Sequence, residues 1–139
     1  MNDITWEKPN PPPNLSCRYF THSTETLLWA AKSEKSKHTF NYDDMRQEAG
    51  GKQMKSVWQI LPPGKSEKKF GKHPTQKPVP LLERCIRAAT NPGDFILDPF
   101  AGSSTTGVAA LQLGRRYCGI EKETEYVQLS ETRLKSADH

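Results

Sequence analysis

Residues 95–121 read FILDPFAGSSTTGVAALQLGRRYCGIE: a short β-forming run, a turn of small residues, an apolar stretch closed by Gly114, and a second β-forming run ending in an acid. This order constrains the fold strongly. Two strands that run in the same direction need a crossover of about a dozen residues, normally a helix, and that connection is right-handed. The pattern predicts a strand over 95–98, a helix over 104–113 with Gly114 as its glycine stop, and a strand over 117–121.

Asp98 then stands at the carboxyl end of a parallel strand, where open α/β sheets bind their ligands. Pro99, Ala101 and Gly102 let the backbone turn sharply and approach a ligand closely. Ser103, Ser104, Thr105 and Thr106 bring hydroxyls and backbone donors to a helix N-terminus, which favours a carboxylate or another anion. Glu121, at the tip of the neighbouring strand, is placed to accept hydrogen bonds from ribose hydroxyls, as the acid of dinucleotide-binding folds does. The spacing is not GxGxxG, and no GK[ST] follows the glycine of this turn, so a triphosphate-binding P-loop is excluded here. Read in isolation, the same residues serve equally well as a strand-to-helix turn with a hydroxyl cap.

The 139 residues suffice for one domain with a core but are few for a whole doubly wound enzyme. Only 34% are apolar, with 11 prolines and 9 glycines, so the apolar residues must concentrate in a few segments. A net charge of +4 permits a polyanionic partner without requiring one. Cys17, Cys85 and Cys118 follow no CxxC or CxxH spacing, and are expected to be reduced packing thiols without a metal site or disulfide framework. No secretory leader and no long apolar run is evident, which leads to the expectation of a cytoplasmic protein without a membrane span.

Along the chain, Ile4, Thr5 and Trp6 look like the end of a strand stopped by the stiff run KPNPPPN. Residues 24–30, TETLLWA, read as a buried strand, so the two suggest an antiparallel pair. From 32 to 72 charge and glycine replace periodicity, and only 56–61, SVWQIL, resembles a strand. A polar insertion of that length usually binds something or is disordered. Beyond HPTQKP, Leu81, Leu82, Cys85, Ile86 and Ala89 share one helical face, and Pro80 is allowed in the first turn. Asn91, Pro92, Gly93 and Asp94 form a turn, and a last helix over 125–134 turns Tyr126, Val127, Ser130 and Leu134 inward.

DPFAGSSTTGVAALQLGRRYCGIE closely resembles the AdoMet-binding motif of DNA amino-methyltransferases, which methylate adenine N6 or cytosine N4. HPTQKPVPLLERCI resembles the motif that precedes it in the β arrangement, with the catalytic half first and the cofactor half last. GIEKETEYVQLSETRL, DITWEKPNPPPNLSCRYFTHSTETLLWAAKSE and KSVWQI extend the likeness in family order, the last resembling the linker of the adenine-N6 members.

The resemblance implies an α/β, incomplete Rossmann-like AdoMet-dependent methyltransferase fold: parallel strands plus an antiparallel edge hairpin over 1–31, a candidate DNA-recognition segment over 32–72, and an AdoMet-binding half over 73–139. It implies S-adenosyl-L-methionine as cofactor, with Asp98, Phe100, Gly102, Ser103, Ser104, Thr105 and Thr106 lining the pocket and Glu121 holding the ribose. His73, Thr75, Gln76, Lys77 and Pro78 would close the methionine end, with Lys77 or Thr75 meeting the carboxylate. It further implies double-stranded DNA as partner, with Asn14, Arg18, Lys52, Gln53, Lys55 and Trp58 as candidate contacts.

Two departures stand out. The family often has a second glycine where this chain has Ser103 or Ser104, which matters if the backbone there is left-handed. The catalytic tetrad, DPPY or a close variant, is absent; NPPPN at 10–14 has no aromatic after its prolines. The expectation is therefore a C-terminal portion, inactive alone, whose open strand edges are completed by a chain carrying DPPY or across a homodimer. The rival expectations are a remnant that folds without cofactor and a portion of a cytosine-N4 enzyme.

Overall fold

The computed structural model describes residues 1–137. Five strands and four helices follow in the order β1 (Asn2–Glu7), β2 (Thr24–Trp29), α1 (Tyr42–Glu48), β3 (Val57–Gln59), α2 (Val79–Ala89), β4 (Phe95–Asp98), α3 (Thr105–Gln112), β5 (Arg116–Gly119) and α4 (Thr124–Ala137), with one 3-10 turn at Ser66–Lys68. The strands form two separate sheets, ordered β2-β1-β3 and β4-β5. β1 pairs antiparallel with β2 and parallel with β3, and β4 pairs parallel with β5. This is the parallel crossover with an antiparallel edge hairpin that the pattern predicts, interrupted between the two sheets.

In β1 the period of two is strict. Ile4 and Trp6 are buried, and with Trp58, Ile60 and Leu81 they form the first core cluster. The Trp6 indole N–H donates to the Ile60 carbonyl at 2.7 Å, so the ring is buried without stranding its donor. Burying such a ring is worth at most about 4–6 kcal/mol. β2 corrects the expectation of a buried strand: it lies at the sheet edge, and Leu28 is 80% exposed while Leu27 and Trp29 pack inward.

The polar stretch 32–72 holds more structure than its composition suggests. α1 turns Met45 into the interior, and Glu48 bridges Arg84 and Arg87 of α2 at 2.7 and 3.1 Å. Asn41 fastens it further, its side-chain amide donating to the carbonyls of Arg87 and Thr90. These anchors lie far away in sequence, so no local periodicity announces them.

α2 joins the two halves, with Leu81 in the first cluster and Ile86 in a second one with Ala109 and Ala110 of α3. Its amino end is capped from a distance, since Glu67 Oε2 accepts from the Val79 N–H at 2.9 Å. α3 ends in a Schellman arrangement: the Arg115 N–H donates to the Ala110 carbonyl, the Gly114 N–H donates to that of Leu111, and Gly114 takes φ +71°. Gly107 and Gly119 make room for Tyr117, because a β-carbon at either would meet that side chain at 2.4 Å. Among the cysteines only Cys85 is packed, its thiol pushed up to about 11 by burial; Cys17 and Cys118 are exposed, contrary to the expectation of three packing thiols. No helix among the described residues is long and apolar enough to cross a membrane.

Candidate cofactor and nucleic-acid site

β4 and β5 continue to exchange hydrogen bonds past their ends, the Ile120 N–H donating to the Asp98 carbonyl and the Ala101 N–H to that of Ile120. The turn 98–102 is thereby zipped onto the chain that leaves β5. The next rung is a side chain, as Glu121 Oε2 accepts from the Gly102 N–H at 2.9 Å. Glu121 Oε1 accepts from the amides of Lys122 and Glu123 at 2.8 and 3.0 Å. The Glu123 amide is the largest cause that holds this carboxyl below the usual range, with the Gly102 and Lys122 amides acting the same way. An ionised carboxylate offers about four acceptor sites, so the three backbone donors leave about one. Glu121 stands two residues beyond β5 rather than within it, because strand pairing ends at Gly119.

Asp98 Oδ1 accepts from the Phe100 N–H at 3.1 Å, shaping the turn, and the Phe100 ring is 89% exposed. Ser103, Ser104 and Thr105 are buried, whereas Gly102 and Thr106 are half-exposed. Ser104 takes φ +55°, so the serine that replaces the glycine does sit in left-handed backbone, at a strain of about 1–2 kcal/mol. Its Oγ accepts from the Tyr117 hydroxyl at 3.2 Å.

His73 lies over Gly102, where a β-carbon would come within 3.2 Å of its Nε2, and its ring sits 4.3 Å from that of Tyr126. His73 Nδ1 accepts from the Thr75 amide at 3.2 Å. The Gln76 side-chain amide donates to the Glu67 carbonyl, while its Oε1 is buried without a partner among the described residues. Pro78 is fully buried at the cap of α2. Lys77 turns away to β2, where Glu25 is held by Lys77 at 2.8 Å and Lys8 at 2.6 Å, both lysines over the Trp6 ring. Burial acts to raise the Glu25 pKa, but the two lysines prevail and lower it. The segment 73–77 thus links the turn after β4 to the carboxyl end of β1.

Arg133 escapes the sequence reading, and Ser130 is read there only as an inward-facing position. α4 buries Arg133, which donates to the Ser103 carbonyl, Ser103 Oγ and Thr105 Oγ1 at 2.6, 2.8 and 3.0 Å. Ser130 Oγ donates to the Gly102 carbonyl at 2.9 Å. Helical spacing points to Ser130 as inward, but Arg133 reads as an ordinary surface charge. Of the expected inward set only Ser130 is buried, with Tyr126, Val127 and Leu134 partly covered; the other buried residues of the helix are Leu129 and Arg133, which that set does not include.

The DNA candidates divide. Trp58 is corrected: it is 6% exposed in the core, with its N–H given to the Lys55 carbonyl and the Arg84 guanidinium over its ring, and no face is left for a base. Asn14 spends its side chain on its own loop, accepting from the Ser16 amide and hydroxyl and donating to the Tyr19 carbonyl. Arg18 is exposed beyond the carboxyl end of β1, beside Tyr19 and Phe20 at 62% and 97% exposure. Lys52, Gln53 and Lys55 are exposed before the amino end of β3, which runs parallel to β1, and so lie at the opposite end of that sheet.

The chain is 59% identical over 137 residues to the type II methyltransferase M2.DpnII of Streptococcus pneumoniae, covering 98% of this chain and 51% of that protein. It is 45% identical over 140 residues to M.HinfI of Haemophilus influenzae, covering 97% and 39%. The chain spans about half the length of the curated relatives it matches. Among solved structures, an M1.HpyAVI–SAM complex superposes with a TM-score of 0.81 at 40% identity, covering 96% of this chain and 61% of that one. The PvuII DNA methyltransferase, described as cytosine-N4-specific, gives 0.78 at 27% identity, covering 95% and 50%. Residues 1–132 match the N6_N4_Mtase family of DNA methylases, and the chain belongs to that family.

Proposed function

We propose that this chain is the AdoMet- and DNA-binding portion of a site-specific DNA methyltransferase acting on adenine N6. The observation that carries the cofactor reading is the junction of Glu121 with the turn 98–106. An ionised carboxylate, held by three backbone donors with about one acceptor site to spare, takes a ribose hydroxyl there. The neighbouring hydroxyls of Ser103, Ser104 and Thr105, with the first turn of α3, take the carboxylate end. Gln76 Oε1, a buried acceptor without a partner among the described residues, suits the ammonium of an amino-acid head. His73 and Thr75 close the turn from above, and Lys77 anchors that segment to Glu25. When bound, the cofactor supplies a methyl group on a positively charged sulfur.

In this reading the exocyclic amine of a flipped adenine is held by an acid-or-polar, Pro-Pro, aromatic tetrad that lies in the other half of the enzyme. Arg18, Lys52, Gln53 and Lys55 serve the DNA phosphates and base edges. An open strand edge of each sheet then pairs with the strands of that half, on the same polypeptide or on a second one.

Calorimetric titration with AdoMet tests the cofactor reading. Micromolar affinity uncontested by ATP or NAD is expected, and silence would make the chain a remnant that folds without cofactor. Glu121→Gln should weaken binding by about tenfold or more, because an amide has one accepting oxygen where the carboxylate has two. Mixing the chain with the amino-terminal half of a relative should give methyl transfer to duplex DNA. N4-methylcytosine instead of N6-methyladenine in the digested product would reassign the target base.

A further inference from the structure

Ser103, Ser104 and Thr105 are 3%, 2% and 5% exposed, yet their hydroxyl oxygens act only as acceptors in the hydrogen bonds they make among the described residues. An arginine has donors alone, so Ser103 Oγ and Thr105 Oγ1 must accept from Arg133. Tyr117 occupies Ser104 Oγ in the same way. Each hydroxyl keeps a proton with no acceptor among the described residues. The loop carbonyls are taken up as well, that of Ser103 by Arg133 and that of Gly102 by Ser130.

α4 and β5 therefore consume the acceptors of this loop from behind and leave it with donors. The charge points the same way. Arg133 has no ion-pair partner among the described residues and lies at the amino end of α3, where the helix dipole already favours negative charge. Burial lowers its pKa while the Glu67 charge acts to raise it, and an anion in front of the loop would offset the cation behind it.

We propose that Arg133, seconded by Tyr117, is a positioning residue that fixes the loop 103–105 as an all-donor receptor, and that the group received is the carboxylate of the cofactor's methionine end. The inference rests on the AdoMet reading and deepens it. Neither residue touches the ligand; each acts through a serine or threonine hydroxyl.

The test is calorimetric titration of the full chain with AdoMet and with decarboxylated AdoMet, which lacks only that carboxylate. The wild type should prefer AdoMet by about tenfold or more, as expected for charge-assisted hydrogen bonds. Arg133→Met should compress that preference to about twofold, with Arg133→Lys and Tyr117→Phe in between. A loop that has merely loosened would lose both compounds alike. An unchanged preference in Arg133→Met overturns this inference and leaves the cofactor reading standing; wild-type silence toward both compounds overturns the cofactor reading and the inference with it. Should Arg133→Met fail to fold, an unchanged preference in both Arg133→Lys and Tyr117→Phe overturns the inference equally.

Discussion

In the sheet β2-β1-β3 the central strand is paired on both sides and its Trp6 is 2% exposed; in the sheet β4-β5 each strand is paired once, and Phe95 and Leu97 are 56% and 57% exposed. The first sheet carries its own core. The second is covered on one face by α2 and α3, with Ile96 and Tyr117 packed there, and its other face is bare. Purely parallel sheets are ordinarily covered on both faces, so β4 and β5 are two strands of a larger sheet. The difference shows that the turn 98–106 is fixed by the tip of β5 and by α4 rather than by the sheet behind it.

The sharpest way to break the comparison is Trp6→Ala. It should cost about 3–5 kcal/mol in denaturant unfolding, because the ring leaves a cavity and the Ile60 carbonyl loses its donor. Next, Gly107→Ala should cost about 1–3 kcal/mol and loosen the half built on β4 and β5 first, read by hydrogen exchange at the 102–106 amides. Its β-carbon has no room beside the Tyr117 ring and Leu134. On β4, Ile96→Ala should cost about 2 kcal/mol while Leu97→Ser stays within about 0.5 kcal/mol, as Leu97 is open to solvent. Equal costs for these two would show that the bare face is covered in solution.

The smallest effect concerns pH. Glu25 has a lowered pKa in the folded chain, so its contribution is complete above its unfolded value near 4.5 and is lost as pH falls through the folded value. With its side chain 35% exposed, that contribution is under about 1 kcal/mol after screening. Comparing the acid limb of unfolding in the wild type and Glu25→Gln should show the variant less pH-dependent below about 4.5, where carboxylates titrate.

Much of the fold was legible because its signals are local. The alternation in β1, the helical spacing of α2 and the Gly114 stop each lie within one element. α1 was missed because Asn41 and Glu48 find their partners on α2, and Trp58 was misjudged because its polar neighbours in sequence are not its neighbours in space. At the site, Glu121 and the hydroxyl turn were readable as a motif. Arg133 was not, since a lone arginine among Glu131, Thr132 and Lys135 carries no mark of burial until α4 folds against the loop.

What the sequence determined by itself is the order and type of the elements around the turn, and the chemical set of acid, small residues and hydroxyls that a cofactor pocket uses. These follow from backbone propensity and short-range spacing. Tertiary structure alone decided which way the hydroxyls of Ser103, Ser104 and Thr105 are committed, that Ser104 bears left-handed backbone, and that Lys77 answers to Glu25. Those outcomes depend on donors and charges brought from other elements, and polarity in a buried site is set by whatever partner packs behind it.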